Sequence, residues 1–246
     1  MPGAILSQVL NAARRLSARG GAWYAREEAI MGTAIRVELW SETRARAQAA
    51  IEAVMAEMHR IDAVYSPYKP DSELSRVNRD AACAPVPISR EFFDLLARAI
   101  EFSARSDGAF DITFASVGSL YDYRRGIRPT DEQLAAARSA IGYRNLILDA
   151  QAGTVRFARA GVRIDLGGFA KGYAVDNAAA LIRRHGIEHA IVSAGGDSRI
   201  VGDRRGRPWT IGVRDPRRAG EVVALLPLAD AAISTSGDYE RYFEAD

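Results

Sequence analysis

The chain has 246 residues, of which 48% are hydrophobic and 26% are charged, and its formal net charge is +2. This composition is typical of a globular protein with a buried core, and the mixed charges form no basic stripe that would indicate nucleic-acid binding. A single cysteine, Cys83, excludes an internal disulfide, and the three separated histidines match no familiar zinc or iron–sulfur spacing.

We predict an N-terminal extension over residues 1–28 and a main domain over residues 29–246. Residues 1–28 contain no apolar run long enough for a signal peptide or a membrane span. The sequence as written is therefore expected to stay in the cytoplasm.

The first regular elements are predicted from hydrophobic periodicity. Residues 32–40 alternate between hydrophobic and polar side chains, which predicts a strand with one buried face. Hydrophobic residues between 43 and 64 recur with helical spacing, which predicts an amphipathic helix that packs on a sheet. Residues 66–78 combine two prolines with several polar residues, so we expect a loop there.

Capping residues mark three further helices. Ser89 is placed to cap one helix, and Thr130 with Gln133 forms a capping box for the next. The last predicted helix runs from about Lys171 to His185, where the following glycine provides a natural stop.

Short strand-like runs fill much of the remaining sequence, and a glycine between the first two of them predicts a hairpin. Because strands outnumber helices and are joined by short links, we predict an α+β fold with mixed or antiparallel sheets flanked by helices. The strand-like runs are 145–149, 154–158, 162–166, 189–193, 209–215, 221–227 and 231–235.

The stretch DLGGFAKG, residues 165–172, suggests an anion site. A strand delivers Asp165, two glycines allow the backbone to approach a ligand, and a helix then begins with free N–H groups. Lys171 adds a positive charge suited to a phosphate, and only one other lysine, Lys69, occurs in the chain. The spacing matches neither of the common nucleotide-binding glycine motifs. The alternative is an ordinary tight turn with a solvent-exposed lysine.

Three other stretches suggest ligand loops, each with a plainer alternative. Ala109, Phe110 and Asp111 follow a helix-ending glycine and could present an aromatic face and backbone groups to a planar ring. The alternative is a buried phenylalanine at the start of a strand. The small residues of 193–202 and 233–243 could approach phosphates or form ordinary turns.

Taken in order along the chain, six stretches resemble the ApbE family. The resemblance covers about residues 29–246, and it depends on the joint pattern rather than on any one stretch. The stretches are MGT at 31–33, SPYKPDSELSRVN at 66–78, DGAFDIT at 107–113, DLGGFAKGYAVD at 165–176, SAGGD at 193–197 and STSGDYERYF at 234–243.

The resemblance implies an FAD:protein FMN transferase with an ApbE-like, T-fold-like architecture. Such an enzyme uses FAD and Mg²⁺ and attaches FMN to a threonine or serine hydroxyl of a flavoprotein partner, with release of AMP. The expected partner is a flavin-accepting subunit of an Nqr- or Rnf-type redox complex, and neither nucleic acid nor a membrane span is expected. The alternatives are an FAD-binding protein without transfer activity and an FAD pyrophosphatase that yields FMN and AMP.

The resemblance also assigns residues, although it identifies no catalytic group. Gly168 matches a position that helps to hold the metal. The positions that match flavin-nucleotide contacts are Met31, Tyr68, Ala109, Phe110, Asp111, Asp165 and Lys171.

Two departures from the family pattern lead to further expectations. Family members are usually periplasmic or lipid-anchored, whereas this N-terminus shows no signal. The sequence stops at YFEAD, before the segments that supply a histidine and further metal ligands in the family. We therefore expect a C-terminally incomplete transferase that binds FAD but transfers FMN orders of magnitude more slowly than an extended version would.

Overall fold

The structure is a computed structural model that describes residues 20–122, 125–218 and 220–237. These residues form two compact units. The first unit contains the described residues up to Met58 together with Ala174–Thr235. The second runs from His59 to Tyr173 and includes the described residues after Thr235.

The regular elements are numbered here in chain order. The strands are β1 Ala22–Ile30, β2 Thr33–Ser41, β3 Val86–Pro87, β4 Leu146–Asp149, β5 Thr154–Phe157, β6 Ala190–Ala194, β7 Asp197–Val201, β8 Trp209–Arg214, β9 Val222–Leu228 and β10 Ala232–Ser234. The α-helices are α1 Arg44–Tyr65, α2 Glu73–Asp80, α3 Arg90–Arg105, α4 Ala115–Gly118, α5 Asp131–Arg138 and α6 Ala170–Arg184. Two short 3₁₀ helices cover Ile112–Phe114 and Tyr143–Asn145.

An antiparallel five-stranded sheet, in the order β1-β2-β6-β7-β10, forms the centre of the first unit. Ile35, Val37 and Leu39 of β2 are fully buried, so the alternation seen in the sequence marks the core face of this sheet. The hairpin of β8 and β9 is also in this unit. The predicted strand over 32–40 is therefore confirmed.

The turn between β1 and β2 consists of two residues, Met31 and Gly32. Both have positive φ angles, 55° and 68°, as a tight hairpin turn with right-handed twist requires. Strand β1 begins at Ala22, so the predicted boundary between residues 28 and 29 lies inside a strand.

The second unit combines a small antiparallel sheet, in the order β3-β5-β4, with helices whose predicted caps are present. Ser89 Oγ accepts a hydrogen bond from Phe92 N at 3.2 Å at the start of α3. Thr130 and Gln133 form both bonds of the capping box that starts α5. Because these caps depend on neighbouring residues only, the sequence was sufficient to predict them.

Two local predictions for the second unit were wrong. Residues 66–78 were predicted as a loop, but α2 begins at Glu73, capped by Ser72, and buries Leu74 and Val77. Residues 162–166 form no strand, because side chains take up much of the backbone hydrogen bonding there, as described below.

The α+β class is confirmed, and every strand pair among the described residues is antiparallel. Within the described ranges, no helix has both the length and the hydropathy needed to span a membrane.

Candidate functional site

The turn that leads into α6 has the features of an anion site. Asp165 Oδ1 accepts a hydrogen bond from Gly167 N at 2.6 Å, and Lys171 Nζ donates to Gly167 O. Gly168 is exposed, and no atom lies within 4 Å of the position that its Cβ would occupy. The open backbone at Gly168, the Lys171 ammonium and the positive end of the dipole of a 15-residue helix together attract an anion.

The backbone immediately before this turn is held by side chains from distant parts of the second unit. Asn78 Oδ1 accepts a hydrogen bond from Ile164 N at 2.8 Å, and its Nδ2 donates to Ile164 O at 2.9 Å. Ser116 Oγ accepts from Arg163 N at 3.0 Å. These bonds replace a strand ladder, and they fix the direction in which the chain delivers Asp165 to the turn.

Hydrogen bonds within the loop and to a second loop hold the segment that contains Ala109, Phe110 and Asp111. Ser106 Oγ accepts a hydrogen bond from Phe110 N at 3.0 Å. Asp111 Oδ1 accepts from Thr113 N at 2.8 Å and from Thr113 Oγ1 at 2.6 Å, while Oδ2 accepts from Tyr143 N at 2.7 Å. The Asp111 carboxylate therefore caps a 3₁₀ helix and ties two loops together, so its side chain organises the site.

Aromatic side chains bring this loop next to the anion turn. The ring centroid of Phe169 lies 5.9 Å from that of Phe110 and 5.9 Å from that of Phe102. Asp165 N also donates to Ile112 O at 3.0 Å, so backbone and side chains both join the two stretches. The tilted rings of Phe110 and Phe169 offer apolar surface beside a cationic turn, a combination suited to a flavin nucleotide.

The other residues assigned by the resemblance lie in two places. Tyr68 is in the second unit, on the loop before α2, and its side chain is 90% exposed. The neighbouring Lys69 pairs with Asp62 at 2.5 Å. Met31 lies in the first unit, at the β1–β2 turn. The structure thus brings Ala109–Asp111 together with Asp165–Lys171, and the flavin contacts of all seven residues stay predictions.

The small-residue turn between β6 and β7 is filled by the protein itself. A Cβ at Gly196 would lie 2.4 Å from Thr235 O, and one at Gly195 would lie 2.9 Å from Thr33 Oγ1. Thr235 N donates to Gly196 O at 3.0 Å. Three of the six motif stretches therefore meet at this turn of the first unit, where the glycines permit close packing of the chain on itself. Residues 238–243 of the last stretch lie outside the described residues.

Among the described residues, no group of three or more His, Cys, Asp or Glu side chains could hold a metal ion. Magnesium often binds through one or two protein oxygens, substrate phosphates and water. The predicted role of Gly168 would therefore depend on phosphates that a bound substrate supplies.

Sequence reasoning missed the polar residues that support the site. Asn78 lies in a stretch that we predicted to be a loop, and Glu91 lies in the first turn of α3, where an acidic residue is common. Glu91 Oε1 accepts a hydrogen bond from Tyr173 OH at 2.6 Å, across 82 positions of sequence. No local pattern marks such partners.

The fold and the site define an α+β protein with a candidate nucleotide-binding turn, and comparison with known proteins places it in a family. The model of the ApbE family matches residues 31–246. The FAD:protein FMN transferase of Treponema pallidum is 33% identical over 241 residues, covering 91% of this chain and 67% of that protein. The FAD:protein FMN transferase of Haemophilus influenzae is 33% identical over 229 residues, covering 87% of this chain and 65% of that protein.

Solved structures agree with these sequence matches. The crystal structure of the ApbE protein from Thermotoga maritima aligns with a TM-score of 0.85 and 34% identity, covering 92% of this chain and 74% of that one. The chain belongs to the ApbE family, as its six ordered stretches predicted. It spans about two thirds of the length of the curated relatives described above.

Proposed function

We propose that the protein acts as an FAD:protein FMN transferase. The main support is the contact between the cationic turn at Gly167–Lys171 and the aromatic loop at Phe110, because one part suits a pyrophosphate and the other suits a flavin ring. Two relatives that cover most of this chain carry the same activity in their names.

The proposed reaction moves the FMN part of FAD onto a threonine or serine hydroxyl of a flavoprotein. The hydroxyl oxygen bonds to the phosphorus of the FMN half, and the bridging bond to the AMP phosphate breaks. AMP leaves with the electron pair, and the hydroxyl proton is released. Phosphoryl transfer of this kind depends on positioning and charge stabilisation rather than on a protein nucleophile.

The chain's own residues contribute to this reaction in three ways. The Lys171 ammonium and the positive end of the α6 dipole offset the charge on the pyrophosphate. Phe110 and Phe169 provide surface for the ring system. Asp111 holds the loop that carries Phe110 through its bonds to Thr113 and Tyr143.

The acceptor and the metal are finer parts of the proposal. We propose a flavin-accepting redox subunit, of the Nqr or Rnf type or similar, as the acceptor. We also propose that Mg²⁺ binds together with FAD, because Gly168 can supply backbone oxygen only and the phosphates would supply the remaining charge. Calorimetry should then detect Mg²⁺ binding in the presence of FAD and little binding in its absence.

The deciding experiment is mass spectrometry of an acceptor protein incubated with this protein, FAD and Mg²⁺. A mass gain of one FMN on the acceptor, with release of AMP, supports the transferase. Free FMN with AMP and an unmodified acceptor would identify a pyrophosphatase, and intact FAD would identify a binding protein. An acceptor whose target threonine is replaced by valine serves as the control.

A further inference from the structure

A polar network in the second unit connects α3 with the first turn of α6. Glu91, on α3, accepts hydrogen bonds from both terminal nitrogens of Arg60, at 2.7 Å and 2.8 Å. The same carboxylate accepts a hydrogen bond from Tyr173 OH at 2.6 Å. A bidentate guanidinium pair restricts the orientation of a carboxylate much more than a single contact does.

The charge state of this network favours the contact with Tyr173. Hydrogen bonds from Arg60, followed by the bond from Tyr173, hold the pKa of Glu91 below its usual value. Burial raises the pKa of the neighbouring Tyr65, whose ring packs against Phe92 at 5.1 Å between centroids. At neutral pH an ionised Glu91 therefore faces protonated Tyr65.

Tyr173 is well placed to transmit this constraint to the anion turn. It is the second residue after Lys171, and its N–H donates to Phe169 O at 3.1 Å. Ala170 N likewise donates to Leu166 O at 2.6 Å. Phe169 sits between Gly168 and the helix and packs on Phe110. Fixing the Tyr173 side chain thus restrains the helical turn that carries both the lysine and the aromatic contact.

We propose that Glu91 is a positioning residue for the pyrophosphate of FAD: held by Arg60, it anchors Tyr173 and so sets the position of Lys171 and the Gly167–Gly168 turn. This inference rests on the proposed function. It assigns the network a role in recognising phosphate rather than a role in folding alone.

The test compares FAD with riboflavin, which contains the flavin ring but no phosphate. Tyr173→Phe removes the hydroxyl and keeps the ring, and Glu91→Gln keeps the shape and removes the charge. We expect each change to weaken FAD binding about tenfold, the scale of one hydrogen bond to a charged group, and to leave riboflavin affinity within about twofold. In transfer assays the KM for FAD should rise, while kcat at saturating FAD changes little.

Asp94→Asn provides the matched control. Asp94 lies on the same helix as Glu91, and its partner Arg90 forms an exposed ion pair with it at 3.0 Å. This variant should bind FAD and riboflavin as the unaltered protein does, because an exposed pair contributes little. Arg60→Lys, which removes the bidentate pair but keeps the charge, should fall between Glu91→Gln and the unaltered protein.

The outcomes separate the two proposals. If the unaltered protein binds FAD and Tyr173→Phe leaves that affinity unchanged, or weakens riboflavin binding equally, the positioning role is wrong and the transferase proposal stands. If the unaltered protein binds FAD no better than riboflavin, the phosphate site of the proposed function is itself wrong.

Discussion

Asp165 and Gly167 are joined by a hydrogen bond of 2.6 Å, and a Cβ atom at Gly167 would lie 2.7 Å from the Asp165 oxygen that accepts it. A side chain at position 167 would therefore have to displace the Asp165 carboxylate. The next residue, Gly168, faces open space instead. An added methyl group would therefore disturb the Asp165 carboxylate at position 167 and would meet no protein atom at position 168.

This difference predicts opposite results for two matched alanine variants. Gly167→Ala should displace the Asp165 carboxylate, break its bond to the backbone and weaken FAD binding about tenfold, which corresponds to about 1.4 kcal/mol. Gly168→Ala should leave the free energy of unfolding nearly unchanged, since the added methyl group meets no protein atom, whereas Gly167→Ala should lower it. Urea denaturation compares the two variants and fluorescence titration measures the FAD affinity of Gly167→Ala, and equal unfolding free energies would contradict the steric argument.

Lys171→Ala should weaken FAD binding by about 1–3 kcal/mol, the scale of a lost charge-assisted contact. Arg184→Ala, at the opposite end of α6, removes the same charge away from the turn and should have little effect. Isothermal titration calorimetry of the two variants makes the comparison. An unchanged dissociation constant in a folded Lys171→Ala variant would show that Lys171 does not contribute to FAD binding.

FAD should bind more tightly than FMN, and FMN more tightly than riboflavin. The reason is that the open turn and Lys171 interact with phosphate groups. The aromatic surface contacts the flavin ring, which is the same in all three ligands. Calorimetry with the three ligands tests the order. Equal affinities for FAD and riboflavin would show that the turn does not contact the pyrophosphate.

Asp111→Asn should lower the free energy of unfolding by about 1–3 kcal/mol, because an amide cannot accept all three hydrogen bonds that the carboxylate accepts. Urea denaturation followed by circular dichroism provides the measurement. Asp94→Asn, in an exposed ion pair, should unfold at nearly the same urea concentration as the unaltered protein. A stable Asp111→Asn variant with weak FAD binding would instead indicate direct contact between this carboxylate and the ligand.

The contribution of Glu91 to stability should depend on pH in a defined direction. Its folded-state pKa lies below the ordinary value of 4.5, so the ionised group stabilises the folded state above that pH. This stabilisation is lost as the pH falls through the folded-state pKa. The difference in unfolding free energy between the unaltered protein and Glu91→Gln should therefore be constant from pH 7 to about pH 5.5 and shrink below about pH 4.5. A difference that grows on acidification would contradict the direction of the pKa shift.

Several features could be predicted from the sequence because their physical causes are local. The alternation of Ile35, Val37 and Leu39 marks a buried strand face, and Ser89 and Thr130 cap the helices that follow them. Each of these depends on neighbours within a few residues, which the sequence shows directly. The order of six short stretches was enough to identify the family, and the family match confirms that prediction.

Tertiary structure alone decided how the candidate site is held. Residues 162–166 have the composition of a strand, yet Asn78 binds the backbone of Ile164 from 86 positions away and Ser116 binds that of Arg163 from 47 positions away. Glu91 reaches Tyr173 in the same way. A side chain that satisfies a distant backbone group, or a carboxylate that joins two helices, leaves no periodic trace in the sequence. Its partner is fixed only when the chain folds, since hydrogen bonding depends on distance and direction in space and not on separation along the chain.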